Sequence, residues 1–420
     1  METQTTWDSR YEWKAVLLLS AGFGLVGIDR FMIAPMFPDI MRDLNLNYQD
    51  LGNITAALSI AWGLSSLFMG RLSDRVGRRS IIIGSLLAFS LLIGVSGLAM
   101  GVGGLIIVRA LMGLADGAYT PTSISATIDA SKPSRHGLNV GIQQMAMPLF
   151  GLAIAPLLVT RLLELMSWRW VFSMLTVPGL LLAFIMYKVL RNQYRSDETR
   201  HESASSAWKD ALHFHNVRVL MVGMLCWLTC LVTTSAMMPS YLIDHLHLGP
   251  VDMGTVMSAI GFGAAAGCLT LPALSDRVGR KPVMVFATIG ACLSIFALSR
   301  TGADVGLLFL FLGLTHFFNF ALITLTVGPL SAESVPAAHM ATASGLVVGV
   351  GELFGGGLAP VLAGGVAQNF GIEHVLYLAV GGLVLGFFVM LFLRETSPEH
   401  VGAKRAFEEP EATIEAPALS

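Results

Sequence analysis

Residues 70–79 read GRLSDRVGRR and residues 272–281 read PALSDRVGRK, the same phrase repeated 202 positions later. Two other pairs keep nearly that spacing. GLAIAP ends at Pro156 and GGGLAP at Pro360, and Asp129 and Glu333 are likewise 204 apart. A repeat at this distance divides the chain into two halves built alike. Outward from each copy the sequence is apolar in stretches of about 20 residues, the length that crosses a bilayer. Twelve such stretches occur, roughly 14–37, 51–71, 80–99, 103–127, 137–160, 170–190, 217–242, 251–272, 282–300, 304–328, 340–364 and 372–394.

Composition points the same way. Of 420 residues, 13% are charged and 54% hydrophobic, and the mean hydropathy is +0.68. A soluble protein carries about 25% charged residues, so this chain cannot cover itself with a polar surface. The 44 glycines suit close helix packing in lipid. The expected fold is an all-α membrane protein of twelve transmembrane helices in two six-helix halves that repeat in parallel. Residues 1–190 form the first half, 191–216 a cytoplasmic linker, 217–394 the second half and 395–420 an acidic, disordered cytoplasmic tail.

Basic residues set the orientation. With both termini in the cytoplasm, 20 of the 26 Lys and Arg fall on that side and four (Arg42, Arg161, Arg169, Arg300) on the other. Arg30 and Arg109 remain inside spans. The polar start METQTTWDSRYEW and the long first apolar run argue against a cleaved signal peptide. The expected location is a bacterial inner membrane. Cys226, Cys230, Cys268 and Cys292 lack His or carboxylate companions at ligand spacing, so ordinary thiols and no metal site are expected.

The chain resembles a major facilitator superfamily transporter over about residues 14–395, on the loop signature Gly70, Leu72, Asp74, Arg75, Gly77, Arg78 and Arg79 and its second copy. Pro272 replaces the leading glycine in that copy, so looser helix packing is expected there. Parallel repeats related by an axis along the membrane normal describe the two halves of this superfamily. Asp74 can accept from a helix N-terminus, and Arg78 is placed to pair with Asp129. By symmetry Asp276 and Arg280, with Arg277 and Gly279 alongside, form a second set partnered by Glu333. The resemblance implies that these contacts latch the halves in the outward-facing state. The plainer alternative is topogenic charge that holds the loops inside.

Ionised groups within a bilayer usually line a cavity or pair with each other. The first span carries Asp29 and Arg30, the fourth Arg109 and Asp116, seven residues apart and so about 10 Å along one face. These four residues resemble the organic-anion branch, the anion:cation symporters that include sugar-acid and sialic-acid carriers. Asp116 stands where Glu is commoner in that branch, and its shorter side chain is expected to alter the coupling geometry. The resemblance implies Asp29 and Asp116 as proton-carrying acids, Arg30 as the ligand for a substrate carboxylate, and Arg109 as a tie between the spans that also contributes to the substrate site. An arginine fork suits a planar carboxylate better than lysine does. The alternative is a paired cluster that only packs the half. Tyr119, Gln143, Gln144, His316, Asn319 and Glu352 are further candidates for the substrate site, each with packing as its alternative.

The fifth span reads IQQMAMPLFG, with Met147 before Pro148 and Gln143 where drug-export antiporters carry a leading glycine. That favours uptake over export. No nucleophile–His constellation or ATP-binding glycine loop occurs, so neither an enzyme nor an ATP-driven pump is expected. The expected partners are a small organic anion, protons and the lipid bilayer. No cofactor, no nucleic acid and a monomer complete the reading, with the proton gradient as the drive.

Overall fold

The computed structural model describes residues 8–132, 135–191, 204–336 and 339–397, with backbone alone at 67–68, 70–75, 204–208 and 341. Eleven helices among the described residues are long and apolar enough to cross a membrane. They are α1 (Ser9–Leu44), α3 (Arg78–Ser96), α4 (Val102–Ala130), α5 (His136–Leu165), α6 (Trp168–Val189), α7 (His215–His245), α8 (Pro250–Val278), α9 (Arg280–Arg300), α10 (Val305–Glu333), α11 (Thr342–Phe370) and α12 (Ile372–Leu391). The twelfth is α2 (Tyr48–Val76), whose 29 residues span about 43 Å at 1.5 Å per residue. Part of the linker, Ala204–His213, is a short helix leading into α7. The expected tail lies outside the described residues beyond 397.

Local signals explain the breaks. Asp8 caps α1 by accepting from the Tyr11 amide at 3.1 Å, and Asp304 caps α10 by accepting from Leu307 at 2.9 Å. Gly77 and Gly279 have φ of 99° and 106° and join α2 to α3 and α8 to α9. Those left-handed corners, which favour glycine, account for one glycine in each copy of the repeated phrase.

The two halves use the same internal pairings. In the first, α2 packs on α4, α3 on α4 and α6, and α1 on α5. In the second, α8 packs on α10, α9 on α10 and α12, and α7 on α11. The duplication in sequence is therefore a duplication in packing. Between the halves, α2 crosses α11 and α8 crosses α5. Both crossings set a glycine against a proline's own carbonyl, with the Thr160 side chain also against Gly254. A Cβ on Gly52 would sit 2.3 Å from the Pro360 oxygen, and one on Gly254 would sit 3.0 Å from the Pro156 oxygen. These contacts lie at the end of the bundle opposite the SDRVGR loops. Tyr48 also donates there to Asp244 at 2.9 Å, and Gln49 to the Val361 carbonyl at 3.2 Å. The halves are sealed at that end.

Gly52→Ala is therefore expected to oppose the seal by about 1–3 kcal/mol, because a backbone carbonyl cannot rotate away as a side chain would. Faster labelling of a Gln49→Cys reporter by an impermeant maleimide checks this. Gly84→Ala, which meets open space, serves as the neutral control.

Candidate functional site

The four charges that the sequence leaves inside the membrane converge on the seam between the halves. α1 brings Asp29 and Arg30, and α4 brings Arg109 and Asp116; all four are buried. Arg109 Nη1 donates to the Asp29 carbonyl at 2.6 Å and stands 3.8 Å from Asp29 Oδ1. The Asp29 and Asp116 carboxyl groups lie against each other. Neither has a hydrogen-bond donor among the described residues, and Arg109 Nε and Nη2 have no acceptor. An ionised carboxylate only accepts, so a proton on either acid would supply the other with a donor.

Arg30 points to the opposite half. Its Nη1 donates to Glu352 Oε1 at 3.2 Å and its Nη2 to Oε2 at 2.8 Å, a fork-to-fork pair. The Trp62 ring lies beneath the guanidinium, 4.5 Å from its centroid, and Phe31 flanks it at 5.6 Å. Glu352 sits on a widened π-helical stretch, Gly351–Leu358, within α11. Such single wide turns recur at functional positions because they rotate a side chain out of the regular helical stripe. A cleft beside this pair is lined by Arg30, Arg109, Thr55, Ser59, Val232 and Ser235.

The other candidates sit elsewhere. Tyr119 donates to the Leu19 carbonyl at 3.1 Å and packs edge-on against Phe89, tying α4 to α1. Gln143 is buried and donates to Ser123 at 2.9 Å, whereas its neighbour Gln144 is exposed on the other face. His316 Nε2 meets the Thr234 hydroxyl at 2.9 Å, and Asn319 donates to the Trp227 carbonyl at 3.1 Å. Both are held between α7 and α10, and neither lines the cleft.

At the loop end each half carries its own tie. Arg78 bonds Asp129 and also donates to the Ser125 carbonyl at 3.2 Å. Arg280 grips Glu333 with Nε at 3.2 Å and Nη2 at 2.8 Å, and reaches Asp276 at 2.6 Å. Both ties stay within one half in this structure. Arg79 donates to the Tyr187 carbonyl and stacks over its ring, while Arg277 is exposed. The side chains of Asp74 and Arg75, and the packing at Gly70, lie outside the described residues.

Two charged groups at this end escaped the sequence reading. Glu12 is buried and accepts from Asn139 at 2.9 Å and from Arg135 and the Lys132 amide. Glu12 lies in the polar start just before the first apolar run, so nothing in its surroundings along the chain marks it as buried. Glu395 receives the amides of Arg280 and Lys281, both at 2.9 Å, and so caps the start of α9. Burial alone would raise its carboxyl, but the amides of Ser397, Lys281, Arg280 and Thr396 outweigh that and hold it below its ordinary value. A lowered acid contributes stability above its unfolded pKa that is lost as pH falls through the folded one. Wild type is thus expected to lose thermal stability from about pH 5 downward more steeply than Glu395→Gln, as melting curves at stepped pH would record. Within the cleft, Thr55, Ser59 and Ser235 were also missed, although hydroxyls one turn apart on an apolar helix were a usable clue.

Comparison with known proteins agrees with this architecture. The family model described as Major Facilitator Superfamily matches residues 19–356 and 254–419. A Haemophilus influenzae protein described as a metabolite transport protein is 26% identical over 396 residues, covering 91% of this chain and 96% of its own. The hexuronate transporter of Bacillus subtilis is 24% identical, covering 85% and 88%. A puromycin resistance protein of Streptomyces alboniger is 25% identical, covering 80% and 76%. In fold, the nucleoside transporter NupG aligns with a TM-score of 0.78 at 14% identity, covering 91% of this chain and all of its own. On the family match across both halves, the chain belongs to the major facilitator superfamily and is a multi-pass membrane transporter.

Proposed function

We propose that the chain takes up an organic carboxylate (a sugar acid, dicarboxylate or aromatic acid) together with protons, by alternating access. One observation carries this reading. Arg30 presents its guanidinium fork to a carboxylate at the seam between the halves, beside a cleft. A site that holds a side-chain carboxylate in this geometry can hold a substrate carboxylate in the same way. The hexuronate transporter among the relatives supports that substrate class.

Asp29 and Asp116 are the acids that hold the transported proton, and Arg109 joins α1 to α4 behind them. With the SDRVGR loops on the cytoplasmic side of a bacterial inner membrane, the sealed end faces outward and both termini face the cytoplasm. A substrate anion travelling with protons partly cancels charge before it crosses apolar surroundings. A thermal-shift screen of purified protein across organic acids tests the reading. Stabilisation by carboxylates, stronger at lower pH, is expected; stabilisation only by neutral or cationic compounds would sink it.

A second reading, proton-antiport export of a drug or metabolite, is favoured by the puromycin resistance relative. Proteoliposomes separate the two. In uptake the substrate moves in the same direction as protons flowing down their gradient, whereas in export it moves in the opposite direction to them.

A further inference from the structure

We infer that Glu352 is the built-in competitor of the substrate for Arg30, and that it takes up one proton for each carboxylate admitted. The inference rests on the proposed carboxylate reading and adds a third acid to its coupling.

Both Glu352 oxygens are engaged by the two terminal nitrogens of Arg30. A substrate carboxylate that binds the same fork needs the same two nitrogens, so the two anions exclude each other. The surroundings of Glu352 offer it no second cation among the described residues. From α1 it meets Arg30. From α2 it meets the neighbourhood of Ser59, since a Cβ on Gly356 would touch both Glu352 Oε2 at 2.6 Å and Ser59 Cβ at 3.3 Å. From α7 the side chains packed on this stretch of α11 are Met224 and Leu228, both apolar. Arg109, the other arginine at the cleft, is turned to Asp29. Among the described residues, Arg30 is the single cationic partner of Glu352.

Charge balance then dictates the step. Displacing Glu352 while it stays ionised would leave an uncompensated carboxylate in the protein interior, which is strongly unfavourable. If a proton from water binds the freed carboxylate as the substrate carboxylate takes the fork, one anion and one proton enter together. The net charge of the site is unchanged. The same exchange breaks the one mid-bundle ion pair found among the described residues between α1 and α11, so binding also releases a tie between the halves.

The test uses the full chain in detergent, with glucuronate and benzoate as probes. Binding is followed by calorimetry in buffers of different ionisation enthalpy, which counts protons taken up per carboxylate. For Glu352→Gln the expected result is one proton fewer per carboxylate and an affinity above pH 7 at least tenfold tighter than wild type. Glu352→Asp should bring the lost proton back, which a packing role alone would not do. Binding by Glu352→Gln where wild type binds neither probe would also support competition. Equal affinity and equal proton count in wild type and Glu352→Gln would overturn the inference and leave the carboxylate reading standing. Failure of wild type and variant alike to bind either probe would overturn both.

Discussion

Arg30→Ala is expected to reduce carboxylate binding by roughly 30- to 4,000-fold, the equivalent of about 2–5 kcal/mol for truncating one side of a buried, hydrogen-bonded charge pair. Two effects combine. The substrate loses its fork, and Glu352 loses the guanidinium that both its oxygens engage. Arg30→Lys keeps the charge but presents a point donor, so a smaller loss is expected. The two contributions separate in the double variant. Adding Glu352→Gln to Arg30→Ala removes the stranded carboxylate and should recover thermal stability, while binding stays lost. Isothermal titration and melting curves on the same four proteins check the pattern. Wild-type affinity in Arg30→Ala would exclude the fork as the carboxylate anchor.

Asp116→Asn is expected to abolish concentrative uptake while sparing exchange of substrate across the membrane. Asp116 is fully buried against Asp29, and its carboxylate has no donor among the described residues. An amide keeps the shape and cannot carry a proton. Each 100 mV of driving force is worth about 2.3 kcal/mol per proton, so losing one coupled proton lowers the attainable accumulation by roughly 50-fold. Proteoliposomes with an imposed proton gradient measure accumulation, and counterflow with substrate on both sides measures exchange. Undiminished gradient-driven accumulation in the variant would remove Asp116 from the coupling path.

Much of this molecule was legible in the chain. The repeated phrase at 70–79 and 272–281 announced the duplication, and the packing repeats with it, α2 on α4 matching α8 on α10. The pairings Arg78–Asp129 and Arg280–Glu333 follow from that same spacing, and the structure brings both together. The scarcity of charge singled out Asp29, Arg30, Arg109 and Asp116, which do converge. Polar residues without charge were harder to place. Asn319, His316 and Tyr119 are as polar as a ligand group needs to be, yet each bonds a neighbouring helix, His316 through Nε2 and Asn319 through Nδ2 alone. Composition cannot separate a hydroxyl or amide that ties two helices from one that faces a cleft.

Sequence alone determined the membrane class, the doubling of the chain and the identity of the charged residues that a bilayer would not tolerate without purpose. Those features depend on composition and spacing, which the chain carries locally. Tertiary structure alone decided that Arg30 faces Glu352, 322 residues away in the other half, instead of its own neighbour Asp29. It also decided that the halves meet through Gly52 and Gly254 at the end opposite the repeated loops. The reason is physical: an ion pair between halves depends on helix rotation and on the wide turn at Gly351–Leu358. Neither leaves a periodic trace along the chain.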